Sequence, residues 1–424
     1  MTPTNEELFA RASRVIPGGV NSPVRAFGSV GGTPYFVRRG AGAYVFDVEG
    51  TQYIDYVQSY GASILGHAHP LVVQAVQRAA ADGTTFGAPT EREVSLAEEI
   101  ASRVPGVEMV RLVSSGTEAL MSAVRLARGA TGRDTIVMFS GCYHGHSDAL
   151  LAAGGSGMAN QGIPGTAGVT KAAVADTVVA PYGVVPELGD DVAAVLVEPV
   201  AGNMGLVDPD PSFLTGLRAA CDRAGALLVF DEVITGFRLG VGGATERSGV
   251  TPDLWTFGKV IGGGLPLAAF AGRRALMEQL APLGPVYQAG TLSGNPIATA
   301  AGLTVLGALD DDAYVRLERS AARLADGLLE VIAGVGLPVQ VPRAATLVGL
   351  HFSSRPVCNY EDAKAAADSG LYRSFFTALL ARGVAMAPGP YEALFTSLAH
   401  TADDIDRTIE AAAAAAGEVV SRAG

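Results

Sequence analysis

One lysine lies in an apolar, glycine-rich stretch of this sequence. Lys259 is the lysine of FGKVIGGGLP (257–266), where glycines allow tight turns and close approach of other groups. Removal of an amine from water lowers its pKa, and a neutral amine acts as a nucleophile and a base. We therefore predict that Lys259 is a catalytic amine that can form a Schiff base with a carbonyl compound.

A carboxylate follows an apolar run upstream of this lysine. Asp231 comes directly after ALLVF (226–230), and burial of a carboxylate without a partner is costly. A protonated pyridine nitrogen would be a suitable cation, and the pairing would keep the ring an electron sink. The alternative is an aspartate that caps the loop or helix after a strand.

A third motif joins a strand to a helix through a glycine turn. The segment SSGTEA (114–119) would present free backbone N–H groups and the positive end of a helix dipole, which hold phosphate. It lacks the GxxxxGK[ST] pattern, and by itself it also fits a plain turn with an N-cap. With Asp231 and Lys259 in order behind it, however, the three motifs predict a pyridoxal 5'-phosphate site.

The elements that must position these motifs alternate between helices and short apolar runs. Such alternation predicts an α/β fold with a mostly parallel central sheet and helices on both faces. Ligands of such sheets bind at the carboxyl ends of the strands. The predicted strands are 109–113, 135–139, 193–198, 226–231 and 268–272.

The 424 residues are too many for one compact core, so we expect a large domain and a smaller one. A predicted hairpin over 43–57 places residues 1–66 in the small α+β domain. Residues 67–310 form the predicted large cofactor-binding domain. Residues 311–424, with charged helices at 314–332, 361–382 and 402–422, return to the small domain.

The composition of the chain limits the classes of molecule that it can bind. The net charge of −12 is unfavourable for nucleic acid and for anionic membranes, so we expect a small-molecule substrate. Three dispersed cysteines suggest no disulfide framework, and we see neither a signal segment nor a membrane span. These features predict a cytoplasmic protein.

Two His-x-His pairs could be interpreted as metal ligands. They are His67 with His69, and His144 with His146. No carboxylate or cysteine set accompanies the first pair, and no third ligand suggests itself for either. We therefore predict no metal site.

The three motifs together resemble those of class III aminotransferases, which are fold-type I enzymes of pyridoxal 5'-phosphate, and the resemblance covers essentially the whole chain. It implies that Ser115, Gly116 and Thr117 bind the phosphate and that Asp231 pairs with the pyridine nitrogen. It also implies a homodimer, in which Thr291 reaches the phosphate of the neighbouring subunit. The other cofactor-site residues that it implies are Tyr143, His144, Glu198, Asn203 and Val233.

Three further stretches are similar to the glutamate-1-semialdehyde 2,1-aminomutase family: PGGVNSPVRAF (17–27), TGFR (235–238) and SLAHT (397–401). Members convert glutamate 1-semialdehyde into 5-aminolevulinate, for tetrapyrrole synthesis, by moving an amino group within one molecule. The implied course begins with pyridoxamine 5'-phosphate and passes through 4,5-diaminovalerate. Lys259 would shuttle the protons. A candidate partner is the upstream glutamyl-tRNA reductase.

The same resemblance implies a substrate site. Ser22 and Arg25 would bind the substrate carboxylate, and Glu392 would lie near its amine end, although a surface arginine and an exposed glutamate are the default interpretations. Tyr60 would be a further contact, at a position where many relatives have tryptophan. Ala62 in the same segment and Gly389 also depart from the common pattern.

A glycine-rich stretch over 147–175 is predicted to be a lid that retains the intermediate, with a tolerated surface loop as the alternative. The main rival function is that of an ω-aminotransferase, which exchanges amines between two molecules. A second rival is a cofactor-binding regulatory or scaffold protein without turnover.

Overall fold

The computed structural model of the chain describes residues 3–152 and 166–423. The first helix, α1, spans Asn5–Ala12. Thr4 and Glu7 form the capping box that their spacing predicts, since each side chain accepts a hydrogen bond from the backbone N–H of the other residue.

Seven strands of the described chain form the central sheet. They are β4 (Met109–Val113), β5 (Thr135–Phe139), β6 (Thr177–Ala180), β7 (Val192–Val197), β8 (Leu227–Glu232), β9 (Leu254–Phe257) and β10 (Ala268–Gly272). The order is β4-β10-β9-β8-β7-β5-β6. Because β10 is antiparallel to both neighbours and the other pairs are parallel, the remaining six strands all point the same way. The predicted α/β fold with a mostly parallel sheet is confirmed.

Helices cover both faces of this sheet. Strand β7 shows why: all six residues are buried, with Val195 and Val197 in one hydrophobic core and Ala194 and Leu196 in the core on the opposite face. A strand buried on both faces is uniformly apolar, as strands of parallel sheets are.

The other α-helices of the described chain are α2 (Pro70–Asp82), α3 (Glu91–Arg103), α4 (Gly116–Thr131), α5 (Lys171–Val174), α6 (Pro211–Ala224), α7 (Gly243–Ser248), α8 (Arg274–Met277), α9 (Pro296–Gly307), α10 (Asp311–Gly334), α11 (Tyr360–Asp368), α12 (Leu371–Leu380) and α13 (Ala402–Ala423). No helix among the described residues is long and apolar enough to span a membrane.

Two smaller sheets accompany the central one, and the first of them joins residues from both ends of the chain. One has the order β1-β2-β3-β13 and the other β11-β12-β14. Their strands are β1 (Val37–Ala41), β2 (Tyr44–Asp47), β3 (Gln52–Asp55), β11 (Arg343–Ala344), β12 (Leu347–Val348), β13 (Val384–Ala385) and β14 (Leu394–Phe395). One hydrophobic core joins Ile54 and Tyr56 to side chains of α10, α12 and α13.

The observed elements differ from the predicted ones in two informative places. The helix predicted over 361–382 is two helices, α11 and α12, because Gly370 between them has a φ of +72°, which ends a right-handed helix. Strand β9 is not predicted from the sequence, since its four residues, LWTF, are too short a run to separate strand from helix by periodicity.

Candidate active site

A cavity of about 310 Å³ lies at the edge of the sheet where β4, β7, β8 and β9 end. Each of these strands supplies polar groups to the cavity, either from the last residues of the strand or from the loop that follows. The wall residues are Ser114, Ser115, Gly116, Thr117, Leu120, Tyr143, Gly145, Glu198, Asn203, Asp231, Val233, Ile234, Lys259, Leu265, Pro266 and Leu267. The structure thus brings together nine of the predicted site residues.

One wall is the start of α4. Ser115 is the N-cap and accepts from the N–H of Glu118 at 3.2 Å. The Glu118 carboxylate in turn accepts from the N–H groups of Ser114 at 2.6 Å and Ser115 at 3.0 Å. The next N–H groups, of Gly116 and Thr117, belong to the first helical turn, which leaves donors without intrahelical partners. This end of the cavity is therefore a site for an anion.

Glycine at position 116 allows a close approach of the neighbouring loop to this wall. A Cβ atom on Gly116 would lie 3.2 Å from both Cγ atoms of Val233, closer than most real contacts. Val233 follows Asp231 by two residues and donates its backbone N–H to the Asp231 carboxylate at 3.1 Å. The anion end and the Asp231 end of the cavity therefore contact each other through Val233.

Asp231 is buried at the end of β8, where neighbouring groups orient its carboxylate. Its Oδ2 lies 2.7 Å from Nδ1 of the buried His144. Its Oδ1 accepts from the Thr256 hydroxyl at 3.4 Å. A carboxylate held in this way on a cavity wall can pair with a cationic nitrogen of a ligand.

Glu198 organises the wall behind β7. Its carboxylate accepts from the N–H of Tyr143 at 2.7 Å, the N–H of Gly202 at 2.8 Å and the amide of Asn203 at 2.8 Å. Burial and the Asp231 carboxylate raise the pKa of Glu198, although the hydrogen bonds from Tyr143 and Asn203 oppose the shift. Its main contacts are thus with protein groups, so it holds Tyr143 and Asn203 in place on the wall.

Lys259 follows β9 and begins a short 3-10 helix, Lys259–Gly262. Its φ of +46° is strained for a residue with a side chain, a feature that clusters at functional sites. Burial lowers the pKa of Lys259, while the carboxylates of Glu392, Glu198 and Asp231 raise it to a smaller extent. The result is an amine that gives up its proton more readily than a surface lysine.

The four predicted substrate residues lie beyond the described walls of this cavity. Burial raises the pKa of Glu392 to about 7, and the charge of Lys259 opposes that shift. Burial and the Glu392 carboxylate raise the pKa of Tyr60, and Arg25 lowers it, so these charges act on one another. Arg25 is exposed, and Ser22 is half-buried at the start of the 3-10 turn Pro23–Ala26.

Thr291 is not among the residues that line this cavity. It is exposed and borders a different cavity, of about 450 Å³, formed by residues 85–90 and 290–296. A single subunit does not bring Thr291 to the wall that holds Lys259.

Several wall residues were not predicted from the sequence. Apolar side chains close the cavity on one side: Ile234, Leu265, Pro266 and Leu267. Gly145 is also on the wall, and a Cβ atom there would lie 2.7 Å from Cα of Thr117. The glycine in CYHG (142–145) was a signal for this close approach, whereas apolar wall residues look like ordinary core residues in a sequence.

Two other expectations concern residues outside the cavity wall. Of the predicted lid over 147–175, residues 153–165 lie outside the described residues, while 171–174 form α5. His67 contacts a carboxylate, with its Nε2 atom 2.6 Å from Oδ2 of Asp55.

The donor set of the cavity fits pyridoxal phosphate. An anion site at the start of α4, a buried carboxylate at the end of β8 and the amine of Lys259 all border one cavity. They match the phosphate, the ring nitrogen and the carbonyl carbon of that cofactor. Fold and site together define a fold-type I enzyme of pyridoxal phosphate.

Comparison with known proteins agrees with this class. A family model described as Aminotransferase class-III matches residues 27–414. Glutamate-1-semialdehyde 2,1-aminomutase 2 from Brevibacillus brevis is 54% identical over 413 residues, which cover 96% of each chain. The chain belongs to the class III aminotransferases and, within them, to the glutamate-1-semialdehyde 2,1-aminomutase family.

Solved structures give the same fold. An omega-transaminase from Sphaerobacter thermophilus is similar with a TM-score of 0.90 at 34% identity, covering 98% of each chain. A lysine-to-alanine variant of a glutamate-1-semialdehyde-aminomutase from Pseudomonas aeruginosa PAO1, in complex with PMP, has a TM-score of 0.88 at 28% identity. That match covers 98% of this chain and 94% of the other.

Proposed function

We propose that the protein is an isomerase that converts glutamate 1-semialdehyde into 5-aminolevulinate through 4,5-diaminovalerate, as a step of tetrapyrrole biosynthesis. The observation that carries this proposal is a cavity with Lys259 and Asp231 in a chain 54% identical to a glutamate-1-semialdehyde 2,1-aminomutase. The substrate is a small molecule. The cofactor of the enzyme is pyridoxal 5'-phosphate in one half of the cycle and pyridoxamine 5'-phosphate in the other.

The bound cofactor would carry the amino group and withdraw electrons from the carbon that loses a proton. Asp231 would keep the ring nitrogen protonated, and His144 would orient Asp231 through their 2.7 Å contact. Ser115, Gly116 and Thr117 would hold the phosphate at the start of α4. Val233 would pack on one face of the ring and Tyr143 against the other.

Lys259 would move the protons. Because burial lowers its pKa, a larger fraction of this amine is neutral than in a surface lysine, and the neutral amine can take a proton from one carbon and return it to another. Glu198 would fix Tyr143 and Asn203, which border the same space. Each of these side chains acts from a strand end or an adjoining loop of the central sheet.

Four residues would bind the substrate. Arg25 and Ser22 would bind its carboxylate, Tyr60 would line the path to the cofactor, and Glu392 would face its amine end. Support comes from electrostatics, since Glu392 acts on the pKa of both Tyr60 and Lys259. Arg25 also acts on Tyr60, so the charges span the distance from the N-terminal loop to the lysine.

We further propose a homodimer in which Thr291 completes the phosphate site of the partner subunit. Its support is that Thr291 is exposed and borders a surface cavity, away from the Lys259 of its own chain. Two exposed apolar side chains border that cavity, Phe86 and Leu292. The upstream glutamyl-tRNA reductase is a candidate partner, because its product is an unstable aldehyde.

The division into domains is proposed as residues 1–66 and 311–424 for the small domain and 67–310 for the large one. Support comes from the core that joins Ile54 to α10, α12 and α13, separate from the cores on the central sheet. We also propose a cytoplasmic location, in keeping with three free cysteines.

The direct test is to mix the purified holoenzyme with glutamate 1-semialdehyde and no other amine donor. We expect 5-aminolevulinate to form without any keto acid, with the absorbance of the bound cofactor alternating between its two forms. A strict requirement for an external keto acid would instead identify an ω-aminotransferase. Absence of any product would contradict the proposal.

A further inference from the structure

Arg238 is an arginine with no exposed surface. Its guanidinium donates from Nη1 to the carbonyl of Thr396 at 2.8 Å and from Nη2 to the carbonyl of Gly61 at 2.7 Å. Both acceptors are backbone groups, and none of the ion pairs among the described residues involves Arg238. A buried charge is costly without a carboxylate partner, so its presence requires an explanation.

The two carbonyls belong to the two segments that carry predicted substrate residues. Gly61 directly follows Tyr60, and Thr396 comes four residues after Glu392. Arg238 itself lies on the loop that follows Asp231 and β8. One planar side chain therefore connects the cofactor side of the site to both segments of the substrate side.

The Tyr60 segment depends on such support. Gln58, Ser59 and Tyr60 all have positive φ values, of 42°, 54° and 56°. Consecutive left-handed residues other than glycine are strained, and they persist only when the surroundings hold them. The carbonyl that Arg238 binds is the first one after this strained run.

The ring of Phe395 completes the arrangement. The Arg238 guanidinium lies 5.7 Å from the centroid of that ring. A Cβ atom on Gly61 would lie 2.7 Å from Cε1 of Phe395, so the two segments are in close contact. On the backbone side, the Thr346 hydroxyl donates to the carbonyl of Arg238 at 2.7 Å, which ties β12 to the same point.

Burial lowers the pKa of Arg238 to about 10, so it remains charged at neutral pH. Its positive charge also lowers the pKa of Lys259, in the same direction as the burial of that lysine. A lysine here would keep the charge but not the planar fork that reaches two carbonyls at once.

We propose that Arg238 is a positioning residue that holds the Tyr60 and Glu392 segments against the Lys259 cavity and thereby sets affinity for the substrate. This inference rests on the proposed function, because it assigns Tyr60 and Glu392 to the substrate. Arg238 acts through these segments and is not among the residues that line the cavity.

The test compares Arg238→Lys and Arg238→Gln holoenzymes with wild type. Since hydrogen bonds from a charged group hold the substrate side, we expect the KM for glutamate 1-semialdehyde to rise by about tenfold or more. We expect kcat to change less than KM, and the absorbance of the bound cofactor to stay that of wild type. Both variants should release more 4,5-diaminovalerate per turnover, because a loosened substrate side retains it less well.

The matched control is Arg316→Lys. Arg316 also donates to a backbone carbonyl of the C-terminal segment, that of Leu398 at 3.2 Å, but it is exposed. Its KM and its release of intermediate should equal those of wild type. If the wild-type protein made no 5-aminolevulinate, the proposed function would fail before Arg238 was tested.

A purely structural Arg238 would give a different pattern. The variants would then lose yield or thermal stability, while the folded fraction kept the KM of wild type, and this result would overturn the proposal. If both Arg238 variants fail to fold, Phe395→Leu loosens the packing between the same two segments without removing the charge. A raised KM in that variant supports the proposal, and an unchanged KM overturns it.

Discussion

The Nδ1 atom of His144 lies 2.7 Å from Oδ2 of Asp231, and both side chains are buried. His144 comes from the loop after β5, and Asp231 from the end of β8, 87 residues along the chain. The pair therefore depends on the parallel order of the central sheet, which brings the carboxyl ends of its strands to one edge.

Replacement of His144 by phenylalanine should weaken the site without removing the carboxylate. Since a hydrogen bond to a charged group is lost, we expect the affinity for the cofactor to fall by about tenfold to a hundredfold. The measurement is titration of the apoprotein with pyridoxal 5'-phosphate. His146→Phe is the control, because His146 is exposed on the same loop. An unchanged affinity in His144→Phe would show that Asp231 needs no such orientation.

Replacement of Lys259 by alanine should abolish proton transfer but not folding. We expect turnover to fall by about 10²–10⁴-fold, the usual contribution of a general acid and base. Added methylamine should restore part of the lost rate by acting as a diffusible amine. Lys364→Ala, a change of an exposed lysine in α11, serves as the control. Full turnover in Lys259→Ala would contradict its proposed role.

The pKa of Glu392, raised to about 7 by burial, predicts a pH dependence. Below pH 7 the carboxyl group is largely neutral, and above it the carboxylate can pair with the protonated amine of the substrate. We therefore expect kcat/KM to rise with pH through about 7 in the wild type, and Glu392→Gln to lack that rise. The measurement is a pH series of initial rates with glutamate 1-semialdehyde.

An exposed glutamate in a nearby helix provides the control for this pH series. Glu361→Gln should keep the wild-type profile, since Glu361 is exposed in the first turn of α11. If Glu392→Gln retained the same rise, another group would have to account for it.

The proposed sharing of Thr291 can be tested with mixed dimers. Thr291→Ala and Lys259→Ala homodimers should each have little activity. In a hybrid of the two chains, one site carries both defects and the other carries neither, so activity should return on co-expression. The measurement is 5-aminolevulinate formation by hybrids purified with two different tags. No recovery would mean that Thr291 serves the Lys259 of its own chain.

Replacement of Gly243 by alanine should destabilise the fold, because the side chain of Glu232, the residue after Asp231, lies against Gly243. Its φ is +63°, and a Cβ atom would lie 2.4 Å from an oxygen of the buried Glu232. Gly249→Ala is a matched control, with a φ of +67° and nothing within 4 Å of the added atom. We expect Gly243→Ala to lower the free energy of unfolding by roughly 1–3 kcal/mol more than the control does. The measurement is denaturant unfolding. Equal losses of unfolding free energy in the two variants would show that the Glu232 side chain moves aside.

Much of the cofactor side could be predicted from the sequence because its signals are local. Strand, glycine turn and helix start are adjacent in SSGTEA, and Asp231 and Lys259 each stand beside an apolar or glycine-rich run. Nine of the predicted residues border one cavity. The observed bounds of β4, β5 and β10 equal the predicted ones, since short apolar strands of a buried sheet have sharp ends.

The sequence by itself thus determined the chemistry: an amine, a carboxylate and an anion site at the ends of buried strands. The tertiary structure decided how that chemistry is held. The contact of His144 with Asp231 and the link from Arg238 to Gly61 and Thr396 join residues far apart in the chain. A carbonyl has no sequence signature, and a buried arginine looks like a surface one until packing excludes water from it.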